Sequence, residues 1–395
     1  MRVFLKTAPG LESISCLEAF ELVGKKFEIN DGIITSDCAF MDFLKLLFYS
    51  RSAERVGLIV AELKISNLVE GEKNEKNSKE DAAYGKIGEV IFYKDKTIEK
   101  ILNFLRNSKS FFKTETCECF KRESKKEFRE LLRKDVSNLM INKGFLQNLK
   151  KPDFYFFLFK IKNVVLLGID FGEVHRRKYS VFNNPQSIRH NIIYSALRIA
   201  GFSTNFKGTI IDLTSKSDFL IEAILYYSNS KNEVKNINNR LISDLGKEIV
   251  GKDFEHFCKE EKEDKKDEDK EDKYSASKNK KTNFVAYSKY RQNLSVLRKN
   301  SLVANVKEIL FTEEHEKVAE FLSSSEKNIV IAQVKNYKEL NELKGFFELL
   351  KNSILIIISN NELDLNILKT ERTKYEKQKI FQGLNSLFLH KICFD

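Results

Sequence analysis

Residues 208–225 read GTIIDLTSKSDFLIEAIL. Thr209 to Ile211 is a short apolar strand that runs into Asp212, and a helix carrying Glu222 and Ala223 is expected from about Phe219. A buried strand that enters a helix through a short polar turn is the βα unit of a parallel sheet. The same alternation continues downstream. Strands are expected at 283–287, 306–311, 328–332 and 353–359, with helices at 219–228, 289–302, 313–323 and 338–351, and a last strand over Leu387 to Cys393. This half of the chain, 204–395, therefore reads as an α/β domain with a parallel sheet and covering helices.

Upstream the pattern changes. Residues 1–68 read as a small α+β unit. It has strands at Val3–Thr7, Lys26–Ile29, Gly32–Ser36 and Glu54–Ile65, and apolar helices at Leu11–Leu22 and Phe40–Tyr49. A second unit spans 85–180. A helix is expected over Ile98–Leu105, then a strand over Phe111–Phe120. A long amphipathic helix follows over Lys121–Asn142, with Phe128, Leu131, Leu132, Val136, Leu139 and Met140 on one face. Arg122, Lys125, Lys126, Arg129 and Arg133 lie largely off that face. Two strands, Asp153–Ile161 and Asn163–Asp170, close the unit, and a linker with a helix at Ile188–Ala200 spans 181–203.

The chain has 395 residues, a net charge of +11 and six cysteines scattered without a disulfide framework. The 15 residues Lys259 to Lys273 are all charged, 9 acidic and 6 basic, so they carry −3 and the remainder carries +14. They sit in an insert, 255–282, that composition assigns to a disordered surface loop. A folded body this basic points to a polyanion as partner, nucleic acid first. No apolar run is long enough to span a membrane, and the N-terminus has no secretory pattern, so a cytoplasmic location is expected. The five histidines form no metal-binding spacing. Cys117 and Cys119 would share one face of a strand and pack inward.

The stretch from Thr116 to Phe171 resembles a THUMP domain: a strand with Cys117 and Phe120, the basic-faced helix, a turn with Gly144, Lys-Pro-Asp at 151–153, then two strands ending in Gly-Ile-Asp. The stretch HRRKYSVFNNPQSIRHNIIYSALRIAGF (175–202) resembles the connector between THUMP and catalytic domains in the tRNA guanine-N2-methyltransferases, on His175, Arg176, Arg177, Tyr179, Pro185, Arg189 and Leu197–Gly201. LKTAPGLESISCLEAFEL and YSRSAERVGLIV resemble that family's N-terminal ferredoxin-like domain. The resemblance covers about 1–225 well and the rest in outline. It implies a multidomain α/β and α+β protein. Its N-terminal half would be ferredoxin-like plus THUMP, its C-terminal half a Rossmann-like methyltransferase fold, and its partner tRNA, read by shape and backbone. Arg122, Lys125, Lys126, Arg129, His175, Arg176, Arg177 and Arg189 are the implied RNA-binding residues.

The methyl-donor site departs from the family pattern. Such a site needs glycines after the first strand, so that the backbone can approach the cofactor, and an acid after the second strand for the ribose. The family's loop, D-P-F-C-G-S-G-T-x-L-I-E-A, is matched only at Asp212 and Leu220 to Ala223. Lys216 and Asp218 stand where small residues belong, and a β-carbon there costs about 1–3 kcal/mol. After the second strand stand Tyr287 and Ser288. The fourth-strand N-P-P-Y loop is missing: the three prolines are Pro9, Pro152 and Pro185. Asp212, Ser215, Ser217 and Ser288 remain as the cofactor-contact candidates, with Gln333 and Tyr337 as the catalytic ones. The expected function is tRNA binding by a degenerate methyltransferase, with no cofactor, as RNA-binding or regulatory subunit to a catalytic methyltransferase partner. The alternatives are an active tRNA methyltransferase using S-adenosylmethionine, and an RNA assembly factor without tRNA specificity.

Overall fold

The computed structural model describes residues 1–65, 87–117, 126–161, 164–182, 184–230, 239–257, 282–325, 327–363, 365, 373–383 and 385–394. The N-terminal half contains β1 (Arg2–Thr7), α1 (Glu12–Val23), β2 (Glu28–Asn30), β3 (Ile33–Asp37), α2 (Phe40–Tyr49), β4 (Ala53–Ile65), β5 (Ile87–Phe92), α3 (Lys96–Asn107), β6 (Phe111–Thr116), α4 (Lys126–Asn142), β7 (Leu146–Gln147), β8 (Phe154–Ile161) and β9 (Val164–Glu173). The C-terminal half contains α5 (His190–Ile199), β10 (Thr209–Asp212), α6 (Phe219–Tyr227), α7 (Asn239–Val250), β11 (Asn283–Tyr287), α8 (Arg291–Val303), β12 (Ile309–Thr312), α9 (His315–Ser324), β13 (Asn328–Val334), α10 (Tyr337–Glu342), α11 (Lys344–Phe347), β14 (Ser353–Ser359), β15 (Thr373–Gln382) and β16 (Asn385–Phe394).

The first two units share one sheet, in the order β2-β3-β1-β4-β9-β8-β6-β7, with β5 also paired to β4. The join is the antiparallel β4–β9 ladder. Phe4 explains two glycines at that join. Its ring lies so close over β4 and β9 that a Cβ on Gly57 or on Gly168 would come within 2.5 Å of it. The ring then packs on Phe157 and Phe159, with centroids 5.8 and 4.8 Å away. A side chain at either glycine would displace the aromatic core that fuses the two units.

The second sheet runs β12-β11-β10-β13-β14-β16-β15. Its first five strands are parallel, and β16 is antiparallel to both neighbours. Strand order reverses between β10 and β13, so the loop after β10 opens at the switch point where doubly wound sheets place ligands. The Rossmann-like reading holds, and so does the mixed α/β class.

Several boundaries differ from expectation. The strand at 111–120 ends at Thr116, and residues 118–125 lie outside the described residues, as do the Lys162–Asn163 turn and Cys119. On α4, Phe128, Leu132, Val136 and Met140 are buried, whereas Leu131 is exposed because it sits on the outer edge of the stripe. The helix at 338–351 is two short helices broken at Leu343. The insert is shorter than 255–282. Phe254 and Phe257 are buried in the N-terminal core, and Thr282 donates to the Phe206 carbonyl. Residues 258–281 lie outside the described residues. The helix α7 was not expected. It reaches back to pack Leu241, Ile242 and Leu245 into the N-terminal core, and Gly246 lets Phe254 lie where a Cβ would be 2.4 Å from the ring.

Candidate functional site

The loop between β10 and α6 is a closed structure. Every residue from Asp212 to Asp218 is buried. Asp212 Oδ1 accepts from the Thr214 and Ser215 backbone N–H groups, both at 2.9 Å, and from Thr214 Oγ1. Those two bonds hold Ser215 at φ +49°, the left-handed turn that a glycine takes more cheaply. The Ser215 hydroxyl then donates to the Tyr287 carbonyl at the end of β11. Lys216 forms a 2.7 Å ion pair with Glu339 on α10. Ser217 donates to Gln333 Oε1 at 2.7 Å and accepts from the Ile188 N–H. Asp218 accepts from Ser180, His190 and Asn300.

The candidate site residues are therefore brought together, but they bind one another. Gln333 is 6% exposed and donates its amide to the Gln186 carbonyl of the linker. Ser288 accepts from the Tyr290 N–H, which opens the turn into α8. Tyr337 stands apart, half-exposed at the start of α10. The space beside Ser215–Asp218 amounts to about 10 Å³, room for about one water, where drug-sized ligands occupy about 300–1,000 Å³. Asp212 Oδ2 is enclosed without a hydrogen-bond partner, and burial pushes the carboxyl up to about 6. A bound sulfonium would favour the ionised form, while Asp212 Oδ1, Ser215, Lys216 and Ser217 are bonded to protein. The Lys216–Glu339 and Ser217–Gln333 bonds would have to give way before S-adenosylmethionine could lie against this loop.

Below the loop lies a second cluster, centred on Glu222 of α6. Its carboxylate receives Arg177 Nε at 2.7 Å, Tyr179 OH at 2.7 Å and Arg51 Nη1 at 3.1 Å. All four side chains are nearly or fully enclosed. Burial alone would raise the Glu222 carboxyl, but Arg177 and then Arg51 hold it well below the usual range. Arg51 also donates to the carbonyls of Leu225 and Ser230. This cluster ties the N-terminal half, the connector and the C-terminal half to one carboxylate.

It also corrects the reading of HRRK. Arg177 is 2% exposed and points into this cluster, so it cannot reach a phosphate in solvent. His175 is buried, and burial lowers its ring to about 3, so it is neutral and offers no charge to RNA. Arg176 is exposed and pairs with Glu173. Arg189 is part-buried and holds Glu54 at 2.8 Å. Lys126 is exposed at the start of α4, and Arg129 is half-buried. Arg122 and Lys125 lie outside the described residues. Sequence reasoning missed the role of Glu222 and Glu54 as anchors. For Glu222 the available signal was an acid inside the apolar run FLIEAIL, whereas Glu54, beside Arg55 and near Arg51, gave none.

Among the described residues no helix is long and apolar enough to cross a membrane, and no group of three or more potential metal ligands exists. No family model matches the chain, and no curated protein matches it. Solved structures do. One is described as a possible methylase from Clostridium difficile, with TM-score 0.64 and 17% identity, covering 100% of this chain and 98% of the other. TrmN from Thermus thermophilus aligns at TM-score 0.61 and 12% identity, covering 100% and 99%. A third, SMU.472, described as "a putative methyltransferase complexed with SAH", aligns at TM-score 0.60 and 14% identity, covering 100% and 98%. Over its whole length the chain shares the fold of these structures, and its C-terminal sheet is the Rossmann-like part.

Proposed function

We propose that this protein is a catalytically degenerate methyltransferase-fold protein that binds tRNA and serves tRNA modification as an RNA-binding or regulatory subunit to a catalytic partner. The observation that carries the first half is the loop Asp212–Asp218, buried and bonded to its own surroundings where a donor would lie. The second half is supported by the +14 carried outside the acidic insert, by the resemblance of 116–202 to THUMP and its connector, and by exposed cations on α4 and beside β9. Calorimetry with S-adenosylmethionine is expected to give no heat at about 1 mM ligand, a concentration that would reveal any affinity stronger than about −4 kcal/mol. A one-to-one micromolar signal sinks the degenerate reading and favours an active enzyme.

The RNA half has its own measurement. Filter binding across a salt series should show folded tRNA preferred over duplex DNA, and equal affinity would leave only a general RNA or nucleic-acid role. The double variant Lys126→Glu and Arg176→Glu replaces two exposed cations, so its circular dichroism should match the parent. Its tRNA affinity should fall by about tenfold or more, with a shallower salt slope. Unchanged affinity and slope would remove this face from the interface.

A further inference from the structure

A polar cavity of about 250 Å³ opens where the ends of β1, β4, β6 and β9 meet the connector. None of the residues 212–218 lines it. Its lining side chains include five cations (Lys6, Arg55, Lys113, Arg133 and Arg189) against three carboxylates (Glu54, Glu115 and Glu173), an excess of +2. Asp170, behind Arg55 at 2.9 Å, brings this to +1. Carboxylates here are shared. Glu54 sits between Lys6 and Arg189, and Glu115 between Arg55 and Lys113. Arg133 pairs with Glu130, 3.9 Å away on its own helix and outside the cavity. A concave wall with this surplus focuses a positive potential on its interior.

Two further features narrow the ligand. His175 lines the cavity and turns Nδ1 to the Glu54 carbonyl. A carbonyl only accepts, so in this contact Nδ1 carries the proton and Nε2 keeps its lone pair as an acceptor. Phe157 supplies an apolar wall, with the Arg55 guanidinium 5.1 Å above its ring. The volume admits a phosphate with a sugar-sized body, and it falls just short of the range of ordinary ligand pockets of about 300 Å³ upward. A duplex cannot enter it; a chain end or a free small molecule can.

We propose that this cavity binds a phosphomonoester carrying a free hydroxyl, supplied either as a free mononucleotide or as the phosphorylated terminus of an RNA. The inference is independent of the donor-loop reading, because the two sites share no residue. Two matched ligand pairs test it on the full chain. Calorimetry compares AMP with adenosine. Anisotropy compares a short single-stranded RNA bearing a 5′-phosphate with the same RNA bearing a 5′-hydroxyl. A preference of about tenfold or more for the phosphorylated member is expected in at least one pair, with a dissociation constant of about 0.1–1 mM for a ligand this small. A preference in the AMP pair identifies a free nucleotide as the source, and a preference in the RNA pair alone identifies the terminus. The double variant Lys113→Gln and Arg133→Gln, both partly exposed at the rim, should abolish that preference. Inorganic phosphate should compete where chloride at equal ionic strength does not. Equal binding within both pairs, a preference that survives the double variant, or failure of phosphate to compete overturns the proposal. If the variant does not fold by circular dichroism, the phosphate competition decides alone.

Discussion

Glu222→Ala is expected to cost about 3–5 kcal/mol of folding stability, the usual result of removing one partner from a buried ion pair. The two guanidiniums of Arg51 and Arg177 would lose the carboxylate they share, with Glu18 left as a counter-charge to Arg177, and the Tyr179 hydroxyl would lose its acceptor. A total stability of about 5–15 kcal/mol leaves little margin for such a loss. The chain has no tryptophan, so urea unfolding followed by circular dichroism is the suitable readout. Glu222→Gln keeps an acceptor for Tyr179 and should fall between parent and alanine variant. Acid should mimic the lesion. The folded-state values of Glu222 and Glu54 lie below the ordinary carboxylate value, with Glu54 near 2, so their stabilisation is complete above about pH 4.3 and is lost as pH falls through the folded values. A Glu222→Ala variant within about 1 kcal/mol of the parent would show that the cluster is not the tie between the halves.

That cluster also marks where reading the sequence stops. The alternation of 209–228 with 283–287 and 328–332 was legible because strands buried on both faces are apolar runs, and those runs form the core of the second sheet. The loop after β10 was legible as a departure from a pattern, through Lys216 and Asp218. Its actual content, a lysine turned to Glu339 and a serine turned to Gln333, depends on partners more than 100 residues away. Arg177 was misread for the same reason. An arginine outside a regular helix is usually exposed, and only the tertiary structure brings Glu222, 45 residues downstream, against it. By contrast, α7 carried its signal openly in Leu241, Ile242 and Leu245, but a neighbouring charged insert drew the eye. The strand β15, TKYEKQKIFQ, lies at a sheet edge with only Ile380 fully buried, so its alternation of apolar and charged residues was too weak to announce it.

Asp212→Asn is expected to stabilise the protein progressively as pH rises. Burial holds the Asp212 carboxyl at about 6 in the folded chain, against about 3.9 when unfolded. A folded value above the unfolded one means that Asp212 contributes fully below about pH 3.9, and that this contribution is lost as pH rises through 6. Asparagine does not titrate, so the variant escapes that loss. It keeps an oxygen for the Thr214 and Ser215 N–H groups, and its amide nitrogen replaces the unpartnered Oδ2, a fixed offset at every pH. The stability of the variant relative to the parent should therefore grow by about 2 kcal/mol between about pH 4.5 and pH 7.5. Asp170, held up to about 6 as well, titrates in both proteins and cancels in the difference. A flat difference would mean that Asp212 keeps its ordinary carboxylate value in the folded chain and therefore faces a cation or water. The same comparison with millimolar S-adenosylmethionine present reports on the site itself. A sulfonium bound beside Asp212 would favour the carboxylate and stabilise the parent alone, erasing the advantage of the variant. If the loop is as closed as its hydrogen bonds make it, the advantage persists unchanged.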